Sequence, residues 1–204
     1  MKKRLEKIKK QDTRIAKALI ECGAIVLQMA LDVLLQRNKS FIWRQRRSAL
    51  KVIGESKDDV KIRASLYIKG KKEEDVFFTD LTVTGAKSTG VYGEGAAMHL
   101  KNVCVEKCGR SGVCVCSTTR NTMTDCNVNN NEYSGVYVGA GGRMVIDGSE
   151  TTIHHNGTGG RDDDYGLETG GSPASIHLKS LTKESISTDN GGGGNCGGNC
   201  REQP

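Results

Sequence analysis

In the second half of the chain, apolar side chains alternate with polar ones in short runs, as at Val103 and Val105 or Val113 and Val115, with glycine or asparagine at the ends of the runs. An every-second-residue period is that of a half-buried β-strand, and the bounding residues are those of tight turns. The runs recur. Thr79-Asp80-Leu81-Thr82-Val83, Lys101-Asn102-Val103-Cys104-Val105 and Thr124-Asp125-Cys126-Asn127-Val128 share one order: polar, Asp or Asn, apolar, any residue, Val. Their acidic or amide positions lie 22 and 23 residues apart, and Asp147 follows 22 later. A second marker keeps the same period: Thr89-Gly90-Val91-Tyr92, Ser111-Gly112-Val113-Cys114-Val115 and Ser134-Gly135-Val136-Tyr137-Val138. Tyr165-Gly166-Leu167 comes 31 residues after Gly135, which places an insertion of about eight residues at 157–164.

A unit of this size cannot bury its own apolar face, whereas stacked units cover one another and pair their strands in parallel around one continuous core. The pattern therefore predicts an all-β solenoid, a single-stranded right-handed parallel β-helix, with equivalent residues in ladders. Leu50 to Ile53, Val60 to Ile62 and Leu66 to Ile68 supply one earlier coil, and Ser175 to Leu178 with Ile186 the last. About five coils at roughly 4.8 Å make a rod roughly 24 Å long. A leucine-rich solenoid is disfavoured, because its Leu/Asn consensus and helical stretches are missing from the repeats. In the N-terminal segment Lys17, Glu21, Gln28, Asp32 and Gln36 fall four or seven apart, the pattern of an amphipathic helix over about residues 13 to 36. Such a helix is placed to cap the open edge of the first coil. Three regions result: a basic segment at 1–47, the β-helix at 48–190, and a Gly/Cys-rich tail at 191–204 that reads as loose.

Several segments together, Leu50-Lys51-Val52-Ile53-Gly54-Glu55-Ser56, Thr151-Thr152-Ile153-His154-His155-Asn156, Asp164-Tyr165-Gly166-Leu167, Ser175-Ile176-His177-Leu178 and Asn190 to Asn195, resemble right-handed β-helix repeat proteins that are numerous in marine microalgae and their large viruses. The likeness covers residues 50 to about 195. It implies a fold of the pectin-lyase-like superfamily, which hosts polysaccharide lyases, glycosidases and uronate epimerases, and it implies no established activity for this group. Fold alone does not supply function.

Composition sharpens this picture. Twenty-six glycines against two prolines, with 4% aromatic residues, suit many tight turns and a narrow core of small side chains. The net charge of +6 divides unevenly: residues 1–72 hold 20 Lys+Arg against 7 Asp+Glu, residues 73–204 hold 10 against 17. Charge of this kind usually reports a solvated face, so nucleic acid is not expected as a partner; attachment of residues 1–47 to an anionic surface is the lesser possibility. The basic start runs into Glu6, Lys7 and Lys9 rather than an apolar stretch, so no signal peptide is read and an intracellular location is the default. Leu19 to Leu35 is interrupted by Glu21, Gln28 and Asp32, which argues against a membrane span. Eight cysteines in such a chain read as free thiols and core residues rather than a disulfide framework.

Candidate chemistry is sparse. The inserted loop offers Arg161, Asp162, Asp163 and Asp164 as weak catalytic candidates, an arginine suited to a uronate and three carboxylates of the kind Ca²⁺ accepts. Adjacent carboxylates do not all face one ion, and the spacing is not that of a calcium loop, so no metal or cofactor is expected with confidence and the bland reading is a solvated acidic loop. Asp80, Asn102, Asp125 and Asp147 are expected in one ladder, which sets Asp125 and Asp147 about 5 Å apart, near the separation of retaining-glycosidase carboxylates. Asp and Asn in solenoid turns more often bond their own backbone. His154 and His155 are adjacent on a strand and expected on opposite faces, while His99 and His177 share a repeated outward position. Cys196 and Cys200 supply two potential zinc ligands where four are needed. The leading expectation is a non-catalytic module that offers ladders of Thr, Asn, Asp and Tyr, with Tyr92, Tyr137, Asp125 and Asp147 as candidate contacts, to an extended glycan or a protein partner. The alternative is a small polysaccharide lyase, uronate epimerase or glycosidase at the 157–164 loop. Oligomeric state is not legible in the sequence.

Overall fold

The computed structural model describes residues 51–54 and 56–204, together with the backbone of residues 19–20, 41–44 and 50. The chain winds as a parallel β-helix with three strand-bearing faces. Face A stacks β3 (Leu50–Ile53), β6 (Asp75–Thr84), β8 (Ala97–Glu106), β10 (Asn121–Thr124), β13 (Arg143–Asp147), β16 (Ser175–Lys179) and β19 (Cys200–Gln203) in that order. Face B stacks β2 (Phe41–Arg44), β5 (Leu66–Lys69), β7 (Val91–Glu94), β9 (Val113–Cys116), β12 (Val136–Gly139), β15 (Tyr165–Gly170) and β18 (Gly194–Gly197). Face C is narrower: β4 (Lys61–Ile62), the C-terminal halves of β6 and β8, then β11 (Asn127–Asn129), β14 (Thr152–His154) and β17 (Ser187–Thr188). All these pairings are parallel.

The register realises the repeat. Phe77 pairs with His99 and His99 with Thr122, offsets of 22 and 23, and Val113 pairs with Val136. Val136 then pairs with Leu167, 31 residues on, so the inserted loop bulges out without disturbing the stack. Alternation aims one set of side chains into the bore. Val76, Met98, Asn121, Met144 and Ile176 form one inward column, Phe78, Leu100, Met123, Ile146 and Leu178 a second, and Val91, Val113, Val136 and Leu167 a third, all essentially fully buried. Single residues at positive φ turn the corners, and Asp80, Asn102 and Asp125, at φ 55, 51 and 52, make the corner between faces A and C. Asp and Asn tolerate this region better than other non-glycine residues, which explains their recurrence there.

Inside the corner that leaves face C runs a ladder of asparagines. Asn131 Nδ2 donates to Asn156 Oδ1 at 2.8 Å and Asn156 Nδ2 donates to Asn190 Oδ1 at 3.0 Å. Asn131 Oδ1 accepts the Cys108 N–H at 3.0 Å, so Cys108 continues the column one rung earlier.

Three expectations change. The solenoid has seven rungs on faces A and B rather than about five coils, a rod of about 34 Å at a rung spacing of about 4.8 Å. Residues 191–204 are not a loose tail. They hold β18 and β19, which pair with β15 and β16 as the last coil. Their glycines serve close approach and turning: Gly192, Gly194 and Gly198 sit at φ 58, 103 and 81, and a Cβ on Gly193 or Gly197 would overlap the Tyr165 ring. The amphipathic capping helix at about 13–36 falls mostly outside the described residues; at Leu19–Ile20 the backbone is instead a strand, β1, antiparallel on β3. Among the described residues the one α-helix is α1 (Lys183–Ile186), capped by Thr182, and no helix is long and apolar enough to cross a membrane.

Candidate functional site

The outward columns of face A carry most of the organised polar chemistry. One column holds Asp75, Ala97, Arg120, Arg143 and Ser175; the next Lys51, Phe77, His99, Thr122, Val145, His177 and Arg201; the third Thr79, Lys101, Thr124, Asp147, Lys179 and Gln203. Six Lys or Arg side chains (Lys51, Lys101, Arg120, Arg143, Lys179, Arg201) face two carboxylates, Asp75 and Asp147. At the first rungs the groups lock together. His99 Nε2 lies 2.9 Å from Asp75 Oδ1 and Nδ1 lies 2.9 Å from the Thr122 hydroxyl, both at hydrogen-bonding distance, so both ring nitrogens are committed and the ring is fixed. Arg120 reaches over Ala97 to Asp75 Oδ1 at 2.7 Å and to the Lys72 carbonyl at 2.7 Å. Burial raises the Asp75 carboxyl, but hydrogen bonds from His99 and Arg120 outweigh it and hold the group below its ordinary value. The Phe77 and His99 rings lie parallel, centroids 4.6 Å apart. His177 shares their column, as its sequence context predicts, and burial followed by the nearby Arg143 and Arg201 lowers its pKa.

The binding candidates divide between two places. Tyr92 and Tyr137 project from face B, with Cys114 between them. Tyr92 stacks on Tyr67 at 4.5 Å with rings 1° from parallel, while Tyr137 lies across Gly139 and Gly170, where any Cβ would collide with it. Asp125 and Asp147 sit at the A/C corner, and the expected ladder is off by one residue. Asp147 pairs with Thr124, and Gly148, at φ 89, takes the corner after Asp125. A side chain there would overlap Asp125 Oδ1, so glycine is required. Asp147 instead accepts its neighbour's N–H at Gly148 (2.8 Å) and pairs with Lys179 Nζ at 3.3 Å. Asp80 and Asn102 do stack, Asn102 Nδ2 donating to Asp80 Oδ1 at 2.6 Å. His154 and His155 also depart from expectation. The positive φ of His155 (54) ends the strand alternation, and the two Nδ1 atoms meet at 2.7 Å.

The inserted loop brings together three of its four candidates. Arg161 is held by Asp163 through two hydrogen bonds of 3.0 and 2.9 Å and lies 4.7 Å from the Tyr133 ring centroid. Asp164 is buried, with Oδ2 3.6 Å from Arg161 Nε. Asp162 is exposed and takes no part in these contacts. The structure adds two residues that were not among the candidate site residues: the Ser134 hydroxyl donates to Glu168 and accepts the Tyr165 N–H. Burial, ahead of repulsion by Asp163 on Asp164 and by Asp164 and Asp163 on Glu168, raises both carboxyls. A carboxyl whose folded pKa is raised gives stability that is complete below its unfolded value, about 4.3 for Glu, and is lost as pH rises through the folded value. Glu168→Gln, which keeps an acceptor for Ser134, is therefore expected to unfold at higher temperature than the parent at pH 7 and to lose less Tm between pH 5 and pH 8. Thermal melts across that range check it; parallel curves for the two proteins refute the assignment.

On face C, a cleft of about 170 Å³ lies between the loop at Lys57–Asp58 and Lys61, Thr82, Cys104, Glu106 and Asn127. Its mixed charges and small volume define no reaction. Among the described residues no three His, Cys, Asp or Glu side chains converge as a metal site.

The solved A-module of the mannuronan C-5 epimerase AlgE6 of Azotobacter vinelandii is similar to this chain, with 13% identity and a TM-score of 0.42; the match covers 81% of this chain and 57% of the epimerase chain. Among curated protein sequences none matches. The family model described as the right handed beta helix region matches residues 64–194. That match spans more than half of the sequence, and the chain belongs to the right-handed β-helix family.

Proposed function

We propose that this β-helix is a non-catalytic binding module that lays an extended anionic glycan along face A. The observation that carries the reading is the fixed Phe77–His99 ring pair set in a flat, seven-rung sheet whose outward charges are six cations to two anions. A sheet this regular repeats its hydrogen-bonding groups at one spacing, which suits a polymer, and the stacked rings set a fixed apolar edge among them. The preorganised Asp75–His99–Arg120–Thr122 network adds rigidity, which lowers the ordering cost of binding.

The experiment is a polysaccharide panel of polyuronate, sulfated and neutral glycans measured by calorimetry at two salt concentrations. Binding is expected for the anionic members, weaker at the higher salt because exposed charges are screened. Lys101→Glu with Arg143→Glu reverses two exposed cations and is expected to weaken it by about tenfold or more, equivalent to about 1.4 kcal/mol. Equal affinity in the parent and this variant, or binding confined to neutral glycans, ends the proposal.

A second reading has its own support in Asp164 and Glu168, two carboxyls with raised pKa sharing Ser134 beside the inserted loop. Such groups suit general-acid chemistry on a glycosidic bond or uronate. Arg161 counts against it, since Asp163 already occupies its guanidinium. Product formation from any panel glycan, lost in Glu168→Gln, would favour this reading over simple binding.

A further inference from the structure

Free cysteines are among the most buried residue types, and Cys108, Cys126 and Cys200 fill small apolar positions in the bore. Cys114 and Cys116 do not. On β9 the inward positions belong to Val113 and Val115, both fully buried, so strand alternation turns the two thiols together onto the outer surface of face B. Cys114 stands in the rung between Tyr92 and Tyr137, and Cys116 between Glu94 and Gly139. Tyr92 stacks on Tyr67 in the previous rung and its hydroxyl reaches Cys116, while Tyr137 folds over Gly139 and Gly170. The result is a pair of neighbouring thiols on the outer side of one strand, Cys114 8% exposed and Cys116 partly exposed.

We propose that Cys114 and Cys116 form a two-thiolate site for a soft, thiophilic d¹⁰ cation, with Cu(I) as the probe. Geometry selects an ion over a disulfide. Residues i and i+2 of a strand are about 6.6 Å apart with nearly parallel Cα–Cβ bonds, whereas a disulfide needs a Cβ···Cβ separation of about 3.8 Å. A metal about 2.3 Å from each sulfur bridges thiolates roughly 4 Å apart and leaves the strand paired on both sides. The site offers two ligands, which suits a soft ion content with low coordination; hard cations prefer oxygen. Each thiol releases its proton to solvent as its sulfur takes the ion. The site lies on face B and owes nothing to the glycan reading of face A.

The test is an anaerobic titration of the reduced full chain with Cu(I) against a chromophoric Cu(I) chelator. One equivalent is expected to be withheld from the chelator. Cys116→Ser, a change at a partly exposed outward position that leaves the core intact, is expected to lose it, with a weakening beyond the about 10–100-fold that loss of an outer-shell partner costs. The double variant Cys196→Ser/Cys200→Ser, which removes the other close thiol pair, is expected to retain it. Undiminished Cu(I) retention by a folded Cys116→Ser chain, or loss of it in the Cys196/Cys200 variant, overturns the proposal. So does a Cys114–Cys116 disulfide in oxidised protein whose circular dichroism is unchanged.

Discussion

Asn156→Ala is expected to cost about 3 kcal/mol of stability and to lower Tm by roughly 10 °C. Asn156 is fully buried in the corner ladder, and its amide is used on both sides. Oδ1 accepts the Asn131 Nδ2 at 2.8 Å and the Asn131 backbone N–H at 3.3 Å. Nδ2 donates to the Val128 carbonyl at 3.0 Å, the His154 carbonyl at 3.1 Å and Asn190 Oδ1 at 3.0 Å. Alanine removes all five contacts, leaves the Asn131 backbone N–H without this acceptor and Asn131 Nδ2 with only the Val105 carbonyl, and does so in a corner buried from solvent, at about 1–3 kcal/mol for a group stranded. The ladder couples three coils, so the effect is cooperative: a cycle of Asn131→Ala and Asn156→Ala should give a coupling energy of about 0.5–3 kcal/mol rather than simple addition. Urea unfolding followed by circular dichroism measures both quantities. A loss under 1 kcal/mol for Asn156→Ala would show that the corner is wet and the ladder ornamental.

This ladder was invisible in the sequence for a physical reason. Asn131, Asn156 and Asn190 are separated by 25 and 34 residues, the second gap lengthened by the inserted loop and α1, and Asn131 ends a polar run, Asn129-Asn130-Asn131, that reads as a solvated turn. The coil itself was legible because two apolar markers kept one period, and the period survives as register along faces A, B and C. Where the inward positions stop being valine or isoleucine, legibility ends. The last coil presents Cys196 and Cys200 to the core and glycine at its turns, so it resembles a linker although it is paired along two faces. A single-residue shift likewise hid behind a good motif: Asp147 continues the 22-residue count, yet Gly148 is the residue that can turn the corner. The face A network was only half readable. The outward phase shared by His99 and His177 is in the sequence, whereas the convergence of His99 and Arg120 on Asp75 spans 24 and 45 residues, with Ala97 small enough to let Arg120 pass over it.

The status of the last coil gives the second large effect. Deleting residues 191–204 is expected to leave a chain that no longer accumulates as a soluble monomer. In the intact protein Cys196 covers Leu167, and Cys200 and Glu202 cover Ile176 and Leu178 from the next rung. Those three side chains are fully buried, and exposing one such residue costs about 1.5–3 kcal/mol, so the set approaches the whole stability of a typical domain, about 5–15 kcal/mol. Removal also unpairs the backbone of β15 and β16 and presents two flat parallel edges, the arrangement that recruits further strands from other chains. Lys183 at the start of α1 loses its link to Glu202 Oε1, at 3.0 Å in the intact fold. Size-exclusion chromatography and binding of a hydrophobic dye report the outcome, with aggregated or dye-binding protein expected. Asp189 and Asn190 remain in the truncated chain, so the Asn156–Asn190 bond is kept and the loss is attributable to the missing rung. A truncated protein that stays monomeric and melts where the parent does would return residues 191–204 to the status of a tail and end the solenoid one coil earlier.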